Sequence, residues 1–380
     1  MNRAPLNANC WAQIDLAALV GNAAYLGSLG PALMAVLKAD AYGHGMDLVA
    51  PALRQAGVSH FGVATAAEGA ALRALLAEDA PAVYIMTATA PADAPVAVER
   101  GLTPFVSSLE QLKALSRAAS EAGRRAEIHL EVDTGIGRAG FLPEQFAEAL
   151  DAALGAPNLA LTGVCTHFTW GENPADARGQ HALFEEVLGL IPQSLRERLL
   201  IHAANSPATI NVPGARYGMQ RPGLLLYGIA PVGEALPVGW RPLPVTPVLS
   251  LKARILLVRD LPAGASLSYG RTYVLPRPAR IATVGIGYGD GYSRRLSNVG
   301  EVLLDDGRRA PIRGRICMDQ FCIELPPGCE ARAGDAVTLV GRAGDQEIRA
   351  VDVAESIAAT PHEVTTCLTG RVARVAKGQR

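Results

Sequence analysis

The sequence lacks a long uninterrupted apolar run, an excess of either charge and any paired arrangement of its cysteines. No stretch reaches the roughly 18 apolar residues of a membrane-spanning helix, and the N-terminus has no apolar core of a secretion signal. Basic residues number 35 against 36 acidic ones, which gives no electrostatic reason to expect nucleic acid or a membrane surface as partner. The 6 cysteines have neither disulfide-scaffold nor zinc-site spacing. We therefore expect a cytoplasmic protein with reduced thiols and no metal.

The length and the hydrophobic content are those of a globular protein with a large core. With 380 residues, 49% of them hydrophobic, the chain can form two domains, one of them as large as an α/β barrel. The 39 glycines and 26 prolines occur without low-complexity stretches, so they indicate many short connections rather than disorder.

Apolar strand candidates alternate with Ala-, Leu-, Glu- and Arg-rich stretches of helical period up to Tyr227. The eight candidates are Met34–Lys38, Phe61–Ala64, Val83–Met86, Pro104–Val106, Ile128–Val132, Leu161–Thr166, Leu199–His202 and Leu224–Tyr227. Eight strands that alternate with helices predict a (β/α)8 barrel. A doubly wound sheet would usually have a glycine-rich first turn, and no G-x-G-x-x-G follows a strand here.

One strand candidate carries polar residues at every second position. These are Glu127, His129, Glu131 and Asp133. The residues between them are apolar and suit burial beneath the helices, so the polar positions are predicted to face the barrel interior. Polar residues inside a barrel near the C-terminal ends of its strands usually belong to a site. The alternative is an exposed edge strand with ordinary apolar/polar alternation.

The composition of the sequence changes after Tyr227. Five prolines between positions 231 and 247 predict a linker. Four β-rich runs follow, separated by glycine and proline turns: Val248–Val258, Ile281–Val284, Glu301–Leu304 and Ala336–Val340. A last helix is predicted from Val351 to about Ala359. We therefore predict a (β/α)8 barrel over residues 1–240 and a smaller β-rich domain over residues 241–380, with about the first 12 residues as candidates for packing with the β domain.

The stretch around Lys38 organises the chain. It reads Ala35-Val-Leu-Lys-Ala-Asp-Ala-Tyr-Gly-His-Gly45, with the lysine where a buried strand runs out. Burial lowers the pKa of an amine, and a neutral amine is a nucleophile that forms imines with aldehydes. A lone lysine would more often be a structural residue at a strand edge. This stretch, however, resembles the lysine-bearing segment of the alanine racemases, in which the matching lysine holds pyridoxal 5'-phosphate (PLP) covalently.

Further stretches resemble the same family, in the same order along nearly the whole chain. Gly135-Ile-Gly-Arg-Ala-Gly140 is similar to the family's glycine-flanked arginine loop, and Thr166-His-Phe168 ends a barrel strand. The resemblance implies that Arg138 donates to the phenolic oxygen of the cofactor. It also implies that His167 hydrogen-bonds the arginine that faces the pyridine ring.

That arginine is Arg221, in Arg221-Pro-Gly-Leu-Leu-Leu-Tyr-Gly228. An arginine does not surrender a proton, so it leaves the pyridine nitrogen unprotonated and makes the ring a weaker electron sink. Such a partner favours return of a proton to Cα over decarboxylation or elimination. The resemblance further implies that the amides of Gly223 and Leu224 bind the phosphate, as expected of loops that follow the late barrel strands.

The remaining cofactor contacts are also implied by the resemblance. Asn205 and Ser206, in Ala-Ala-Asn-Ser-Pro, match a strand-end pair at which the serine binds phosphate. Tyr42 and His362 complete the predicted cofactor-binding set.

The β domain is predicted to supply a second base and the substrate contacts. Leu267-Ser-Tyr-Gly-Arg-Thr-Tyr273 resembles the family stretch whose first tyrosine, here Tyr269, acts opposite the lysine. Racemisation needs one base on each face of a planar centre, and tyrosine, with a pKa of about 10, needs a network to lower it. Tyr288 and the pair Met318 and Asp319, together with Arg138, are the implied substrate-binding residues. In the family these β-domain residues reach the barrel of the other subunit, so a homodimer with shared active sites is expected.

Two positions depart from the family pattern. Many relatives have a lysine, often carbamylated, where this chain has Glu131. Both groups are anionic, so Glu131 is a candidate to orient Arg138 directly. His362 stands where relatives usually have a tyrosine that touches the phosphate and walls the pocket. Because imidazole is smaller than phenol, we hypothesise that the substrate range extends from alanine toward serine.

The sequence therefore predicts a PLP-dependent alanine racemase that makes D-alanine for the bacterial cell wall. The alternatives are a broader alanine/serine racemase, a PLP barrel decarboxylase and a non-catalytic PLP-binding protein. Arg221 and the Ser-Tyr-Gly segment argue against the decarboxylase. Tyr269 and Met318 argue against the binding protein, because such proteins resemble the barrel alone.

Overall fold

The computed structural model describes residues 8–76, 81–230 and 243–377, and the chain divides into two compact units. One unit comprises Met1–Ala18, Tyr42–Leu48 and Pro247–Arg380, and the other comprises Leu19–Ala41 and Val49–Thr246. We call the first the sheet unit and the second the barrel unit. The predicted domain boundary at residues 240 and 241, and most of the predicted proline linker, lie outside the described residues.

The strands are numbered in chain order. They are β1 Cys10–Ile14, β2 Met34–Val36, β3 His60–Val63, β4 Ala82–Ile85, β5 Thr103–Val106, β6 Ala126–Val132, β7 Leu159–Thr166, β8 Leu200–His202, β9 Leu249–Leu261, β10 Ser266–Leu267, β11 Tyr273–Val274, β12 Ala279–Val284, β13 Glu301–Leu304, β14 Arg309–Arg313, β15 Phe321–Glu324, β16 Ala336–Ala343, β17 Gln346–Ile348 and β18 Ala373–Ala376. The right-handed α-helices are Leu16–Gly27, Met46–Gln55, Ala66–Leu76, Ala94–Glu99, Leu109–Glu121, Phe146–Gly155, Pro174–Leu188, Gln193–Arg196, Ser206–Asn211, Ala350–Ser356 and Pro361–Thr366. Among the described residues, no helix is both long and apolar enough to cross a bilayer.

The barrel unit contains a parallel sheet in which β2 to β8 are neighbours in chain order. The segment after β8 closes it: Met219 forms a parallel bridge with His202, and Gln220 forms one with Leu33, which precedes β2. The amide of Met34 donates to the carbonyl oxygen of Gln220 at 2.9 Å. This closed sheet with helices between its strands confirms the predicted (β/α)8 fold class.

The eighth predicted strand, Leu224–Tyr227, is wrong, because these residues form a 3-10 helix. The barrel is already closed at Met219 and Gln220, so the apolar run that follows needs no strand partner. Gly228 ends the turn with a φ of 72°, a left-handed conformation that glycine adopts at little cost. A short apolar run bounded by glycines is equally compatible with a buried turn and with a strand.

Side chains from several strands of the barrel pack together in its core. Met34, Tyr84, Phe105, Cys165 and Met219 form one buried cluster. Of the polar positions of β6 that were predicted to face the barrel interior, His129 and Glu131 are buried, at 1% and 3% exposed, whereas Glu127 is exposed. Each fully buried large apolar side chain contributes about 1.5–3 kcal/mol to folding, so this cluster is a major source of barrel stability.

The sheet unit is built on a nine-stranded sheet in the order β17-β16-β13-β14-β15-β12-β9-β1-β18. The N-terminal strand β1 lies inside this sheet, antiparallel to β9 and parallel to β18. β10 and β11 form a separate antiparallel hairpin. The predicted β-rich C-terminal region is therefore confirmed. The helix predicted from Val351 to about Ala359 begins at Ala350 and ends at Ser356, and a further helix, Pro361–Thr366, follows it.

Candidate active site

Lys38 begins a left-handed turn at the C-terminal end of β2. Ala39, Asp40 and Ala41 have φ values of 53°, 53° and 54°, and Tyr42 follows with 55°. The amide of Ala41 donates to the carbonyl oxygen of Leu37 at 2.8 Å. A left-handed conformation costs an L-residue about 1–2 kcal/mol, so four of them together cost roughly 4–8 kcal/mol. Strain of this size persists only where the surroundings impose it, and it is typical of functional sites.

The amine of Lys38 has a lowered pKa. The main cause is burial, which disfavours the ammonium form, and the positive charges of Arg138 and Arg221 act in the same direction. The carboxylate of Glu68 opposes them. A larger fraction of the amine is therefore neutral near pH 7, as a nucleophile or base requires.

Arg221 is 3% exposed and is held from several sides. Its Nη2 donates to the carbonyl oxygens of Thr166 at 2.7 Å and Ala203 at 3.2 Å, and lies 3.4 Å from Nδ1 of His167. Its Nη1 lies 2.6 Å from Nδ1 of His202. Its Nε has no hydrogen-bond partner among the described residues. A buried donor without an acceptor is costly, and it fits a ligand atom that accepts a hydrogen bond.

A pair of buried histidines extends this arrangement into the barrel. Because Arg221 can only donate, Nδ1 of His202 must be an acceptor, and its Nε2 carries the proton. That Nε2 lies 2.7 Å from Nδ1 of His129, which must therefore also accept. Burial and the charge of Arg221 lower the pKa of His129 to about 3, and the same causes lower the pKa of His202 well below its usual value. Both rings are neutral, and the arginine selects one tautomer of each. We call Arg221, His202 and His129 the arginine–histidine chain.

His167 has a lowered pKa for similar reasons. Burial is the largest cause, followed by the positive charges of Arg221, Arg138 and Lys38. It is therefore a neutral neighbour of Arg221, at the position directly after β7.

Ser206 connects the loop after β8 with the loop after Arg221. Its Oγ accepts hydrogen bonds from the amides of Gly223 at 2.9 Å and Leu225 at 3.3 Å. Asn205 has a structural role. Its Oδ1 caps the helix Ser206–Asn211, and its Nδ2 donates to the carbonyl oxygen of Phe168 at 3.1 Å. Hydroxyl and amide groups gathered in one loop pair are suited to phosphate oxygens.

Arg138 is an exposed residue in a loop that folds back on β6. Asp133 Oδ1 accepts the amides of Gly135 and Gly137, and Gly140, with a φ of 112°, passes so close that an added Cβ would lie 2.5 Å from the amide nitrogen of Asp133. Within the described residues, no ion pair within 4.0 Å joins Arg138 to Glu131. The carboxylate of Glu131 instead accepts from Oγ of Ser107 at 3.1 Å, and burial raises its pKa.

In the sheet unit, Tyr269 lies in a 3-10 turn between β10 and β11 and is 73% exposed. The preceding Ser268 has a φ of 61°, and its hydroxyl donates to the carbonyl oxygen of Arg315. A large aromatic side chain held in solvent on a strained turn is unusual for a monomer.

Tyr288, Met318 and Asp319 are brought together by backbone contacts between two loops of the sheet unit. The amide of Tyr288 donates to the carbonyl oxygen of Cys317 at 3.1 Å. A Cβ on Gly287 would lie 2.3 Å from the carbonyl oxygen of Met318, so only glycine fits there. The carboxylate of Asp319 pairs with Arg371 at 2.7 Å, and the side chains of Tyr288, Met318 and Asp319 are all exposed.

Tyr42 and His362 also meet within the sheet unit. Their ring centroids are 5.8 Å apart with planes tilted by 38°. Tyr42 is 6% exposed, whereas His362 is exposed. Gly43 follows with a φ of 79°, and a Cβ there would lie 1.9 Å from the carbonyl oxygen of Thr365.

Two contributors were not predicted from the sequence. His202 was noted only as the end of a strand, although its position at the C-terminal end of a barrel strand is itself a signal. Glu68 has no predicted role, although Thr65-Ala-Ala-Glu68 is the sequence signature of a capping box.

Comparisons with known proteins agree along the whole chain. Residues 14–231 match the family model "Alanine racemase, N-terminal domain", and residues 248–376 match "Alanine racemase, C-terminal domain". The alanine racemase of Halothermothrix orenii is 36% identical over 379 residues, covering 97% of each chain.

Solved structures give the same result. A crystal structure of alanine racemase from D-cycloserine-producing Streptomyces lavendulae has a TM-score of 0.89 and 35% identity, covering 100% of this chain and 99% of that one. That of Bartonella henselae alanine racemase with covalently bound pyridoxal phosphate has a TM-score of 0.86 and 27% identity, covering 97% and 99%.

Proposed function

Because the chain belongs to the alanine racemase family, we propose that it uses pyridoxal 5'-phosphate to interconvert L- and D-alanine, with Lys38 and Tyr269 as its two bases. The single observation that carries the assignment of residues is the setting of Lys38. It is a partly buried lysine of lowered pKa at the C-terminal mouth of a barrel, on a turn whose conformation is strained.

The residues of the barrel unit fit this cofactor. The unpartnered Nε of Arg221 is a buried donor that suits an unprotonated pyridine nitrogen, and Ser206, Gly223 and Leu224 present a hydroxyl and amides to a phosphate. Lys38 would hold the aldehyde carbon. When bound, pyridoxal phosphate withdraws electrons from Cα of the amino acid and so acidifies its proton.

Lys38 and Tyr269 would then exchange the Cα proton on opposite faces. The amine of Lys38 is displaced toward its neutral form by burial, so it can accept a proton near pH 7. The phenol of Tyr269 would donate the proton on the other face, and the two groups exchange roles with the direction of the reaction. Arg221 does not give up its proton, and this favours the return of a proton to Cα over elimination.

We propose that the active protein is a homodimer in which Tyr269, Tyr288 and Met318 of one chain complete the site of the other. These side chains are 73%, 44% and 52% exposed, although each is large and apolar. Together they form an exposed apolar surface of the kind that a second copy covers. Arg138 and the Met318–Asp319 segment would then contact the substrate.

The substrate range is proposed to include serine as well as alanine. The support is the Tyr42–His362 contact, in which an imidazole occupies the position that relatives usually give to a larger phenol. Values of kcat/KM for L-alanine and L-serine test this. A serine value about 10³-fold or more below that of alanine would rule serine out as a substrate, since that is the rejection a polar site can reach.

The product would serve as D-alanine for cell-wall synthesis, and the proposed compartment is the cytoplasm. The support for the compartment is chemical: all 6 cysteines are free, as in a reducing environment.

The central experiment compares Tyr269→Phe with Tyr273→Phe, a neighbouring tyrosine that packs under the guanidinium of Arg313 at 4.7 Å. We expect Tyr269→Phe to lower racemisation by about 10²–10⁴-fold, the usual contribution of one acid–base group, and Tyr273→Phe to retain activity. Chiral chromatography measures turnover, and loss of cofactor absorbance after borohydride shows that a lysine holds PLP. Full activity of Tyr269→Phe in both directions would refute the two-base assignment.

A further inference from the structure

Glu68 makes more contacts than a helix cap requires. Its Oε2 accepts hydrogen bonds from the amides of Ala64 at 2.7 Å and Thr65 at 3.3 Å, and its own amide donates to Oγ of Thr65 at 3.1 Å. These contacts make a capping box at the start of the helix Ala66–Leu76. Its second oxygen, Oε1, leaves the helix altogether and accepts the amide of Ala39 at 2.8 Å.

Ala39 is the residue directly after Lys38 and the first residue of the left-handed turn. The chain leaves β2 at Val36, and its backbone enters the left-handed region two residues after Leu37. The carboxylate therefore ties the start of this turn to the end of β3, the neighbouring strand of the barrel. A carboxylate that accepts several amides forms charge-assisted bonds, which are shorter and stronger than neutral ones.

We propose that Glu68 is a positioning residue for Lys38: one carboxylate joins the capping box after β3 to the amide of Ala39 and so holds the reactive lysine in the direction that the strained turn gives it. The proposal rests on the proposed racemase function, because it assigns a role around the same lysine. Glu68 acts on Lys38 through the backbone amide of Ala39.

The electrostatic effect of Glu68 agrees with this geometry. Its negative charge raises the pKa of Lys38, against the larger effect of burial and of Arg138. Glu68 is thus connected to Lys38 by a backbone hydrogen bond and by charge, and the two connections can be separated by substitution.

The test compares Glu68→Gln with Thr65→Ala in the holoenzyme. The glutamine can keep its oxygen on Ala64 and Thr65, but it then turns an NH2 group toward the amide of Ala39, so the connection is lost. Thr65→Ala removes the other half of the same capping box and leaves the bond to Ala39 in place. We expect Glu68→Gln to lower kcat by up to about 10²-fold with a much smaller change in KM, because a misplacement of about 1 Å can have that effect.

Two further measurements separate the backbone hydrogen bond of Glu68 from its charge. Amide hydrogen exchange in a peptide spanning residues 37–45 becomes faster in Glu68→Gln and stays as in wild type in Thr65→Ala. The pH midpoint that reports Lys38 in the kcat profile moves to lower pH in Glu68→Gln, because the neighbouring negative charge is gone. Equal kcat, exchange and pH profile in the two variants would overturn the proposal.

Glu68→Asp provides a second variant if Glu68→Gln does not fold. It keeps the charge but shortens the reach by one methylene, so we expect faster exchange and lower kcat with an unmoved pH midpoint. Wild-type kcat and exchange in Glu68→Asp would also overturn the proposal. If the wild-type protein fails to racemise alanine, the proposed function fails instead, and the exchange measurement still decides whether Glu68 holds the turn.

Discussion

Replacing His129 by phenylalanine should leave the side chain of Arg221 less firmly fixed without creating a cavity in the barrel core. The ring of His129 stacks on Phe105 with centroids 5.8 Å apart and planes 5° apart, and a phenyl ring preserves that stacking. What is lost is the acceptor for Nε2 of His202, which lies 2.7 Å away. Either the buried N–H of His202 is left unsatisfied, or the ring changes tautomer and points a proton at Arg221.

The magnitude follows from the burial of that group. His202 is fully buried, and an unsatisfied buried donor costs about 1–3 kcal/mol. If this cost is expressed through the orientation of Arg221, affinity for pyridoxal phosphate falls by about 5- to 150-fold, at 1.4 kcal/mol for each factor of ten. Titration of the cofactor-free protein, followed by cofactor absorbance, measures it.

The same substitution changes the pH dependence of stability. The pKa of His129 is about 3 in the folded protein, against about 6.5 when unfolded, so between these values only the unfolded chain binds the proton. The free energy of unfolding therefore rises with pH in this window, by about 1.4 kcal/mol per pH unit for each such histidine. In His129→Phe the free energy of unfolding should therefore rise less steeply between about pH 4 and pH 6, because one titrating histidine is gone. Chemical denaturation at several pH values measures this.

His60→Phe is the matched control. Nδ1 of His60 lies 3.0 Å from the hydroxyl of Tyr84, so this variant also removes an imidazole hydrogen bond from the barrel unit, but one that does not reach Arg221. We expect its cofactor affinity to stay within about threefold of wild type, a change worth well under 1 kcal/mol. Equal loss of affinity in both variants, or none in His129→Phe, would refute the role of the arginine–histidine chain.

Three other outcomes are expected. Gly43→Ala should destabilise the protein by more than about 3 kcal/mol, because its Cβ would lie 1.9 Å from the carbonyl oxygen of Thr365 and its φ is 79°; thermal unfolding measures this. Ser206→Ala should weaken pyridoxal phosphate binding by about tenfold or more, since it removes the hydroxyl that the loop amides share, and equilibrium titration measures this. Glu131→Gln should raise the free energy of unfolding at pH 7, because burial raises the pKa of this carboxyl and the amide avoids its charge; denaturation at several pH values measures this.

Each of these three predictions has either a control variant or a result that would contradict it. Gly57→Ala shares a positive φ of 91° but has nothing within 4 Å of its Cβ, so it should lose only about 1–2 kcal/mol. Unchanged cofactor affinity in Ser206→Ala would remove that serine from the phosphate site. The advantage of Glu131→Gln should shrink once the pH falls below the raised pKa and vanish below the unfolded pKa of about 4.3, where the glutamate is protonated in both states; a constant difference would contradict the burial argument.

The barrel could be predicted from sequence because its inner strands carry a local signal. The runs at Phe61, Val83 and Ile128 are apolar and separated by helical periods, and each lies within two residues of the observed strand. The run at Leu224 looked the same and was misassigned, because its local pattern does not reveal that Gln220 has already closed the barrel.

The site was predicted as a set of residues but not as a geometry. Nothing in Ala39, Ala41 or Tyr42 favours a positive φ, so the left-handed turn after Lys38 is imposed by tertiary contacts that no local pattern reports. The pairing of His202 with His129 likewise joins residues from separate strands. The described residues show no direct ion pair between Glu131 and Arg138; Ser107, the residue directly after β5, donates to the carboxylate of Glu131 instead.

The place of β1 in the sheet has a consequence for biosynthesis. This strand is translated well before β9 and β18, which flank it in the sheet. At about 5–20 residues per second, roughly 20–70 s pass between translation of β1 and translation of β18. Throughout that interval β1 is a strand with open edges, which other nascent chains can pair with. The barrel unit can collapse before β18 is translated, whereas the sheet around β1 is complete only after β18 has been made.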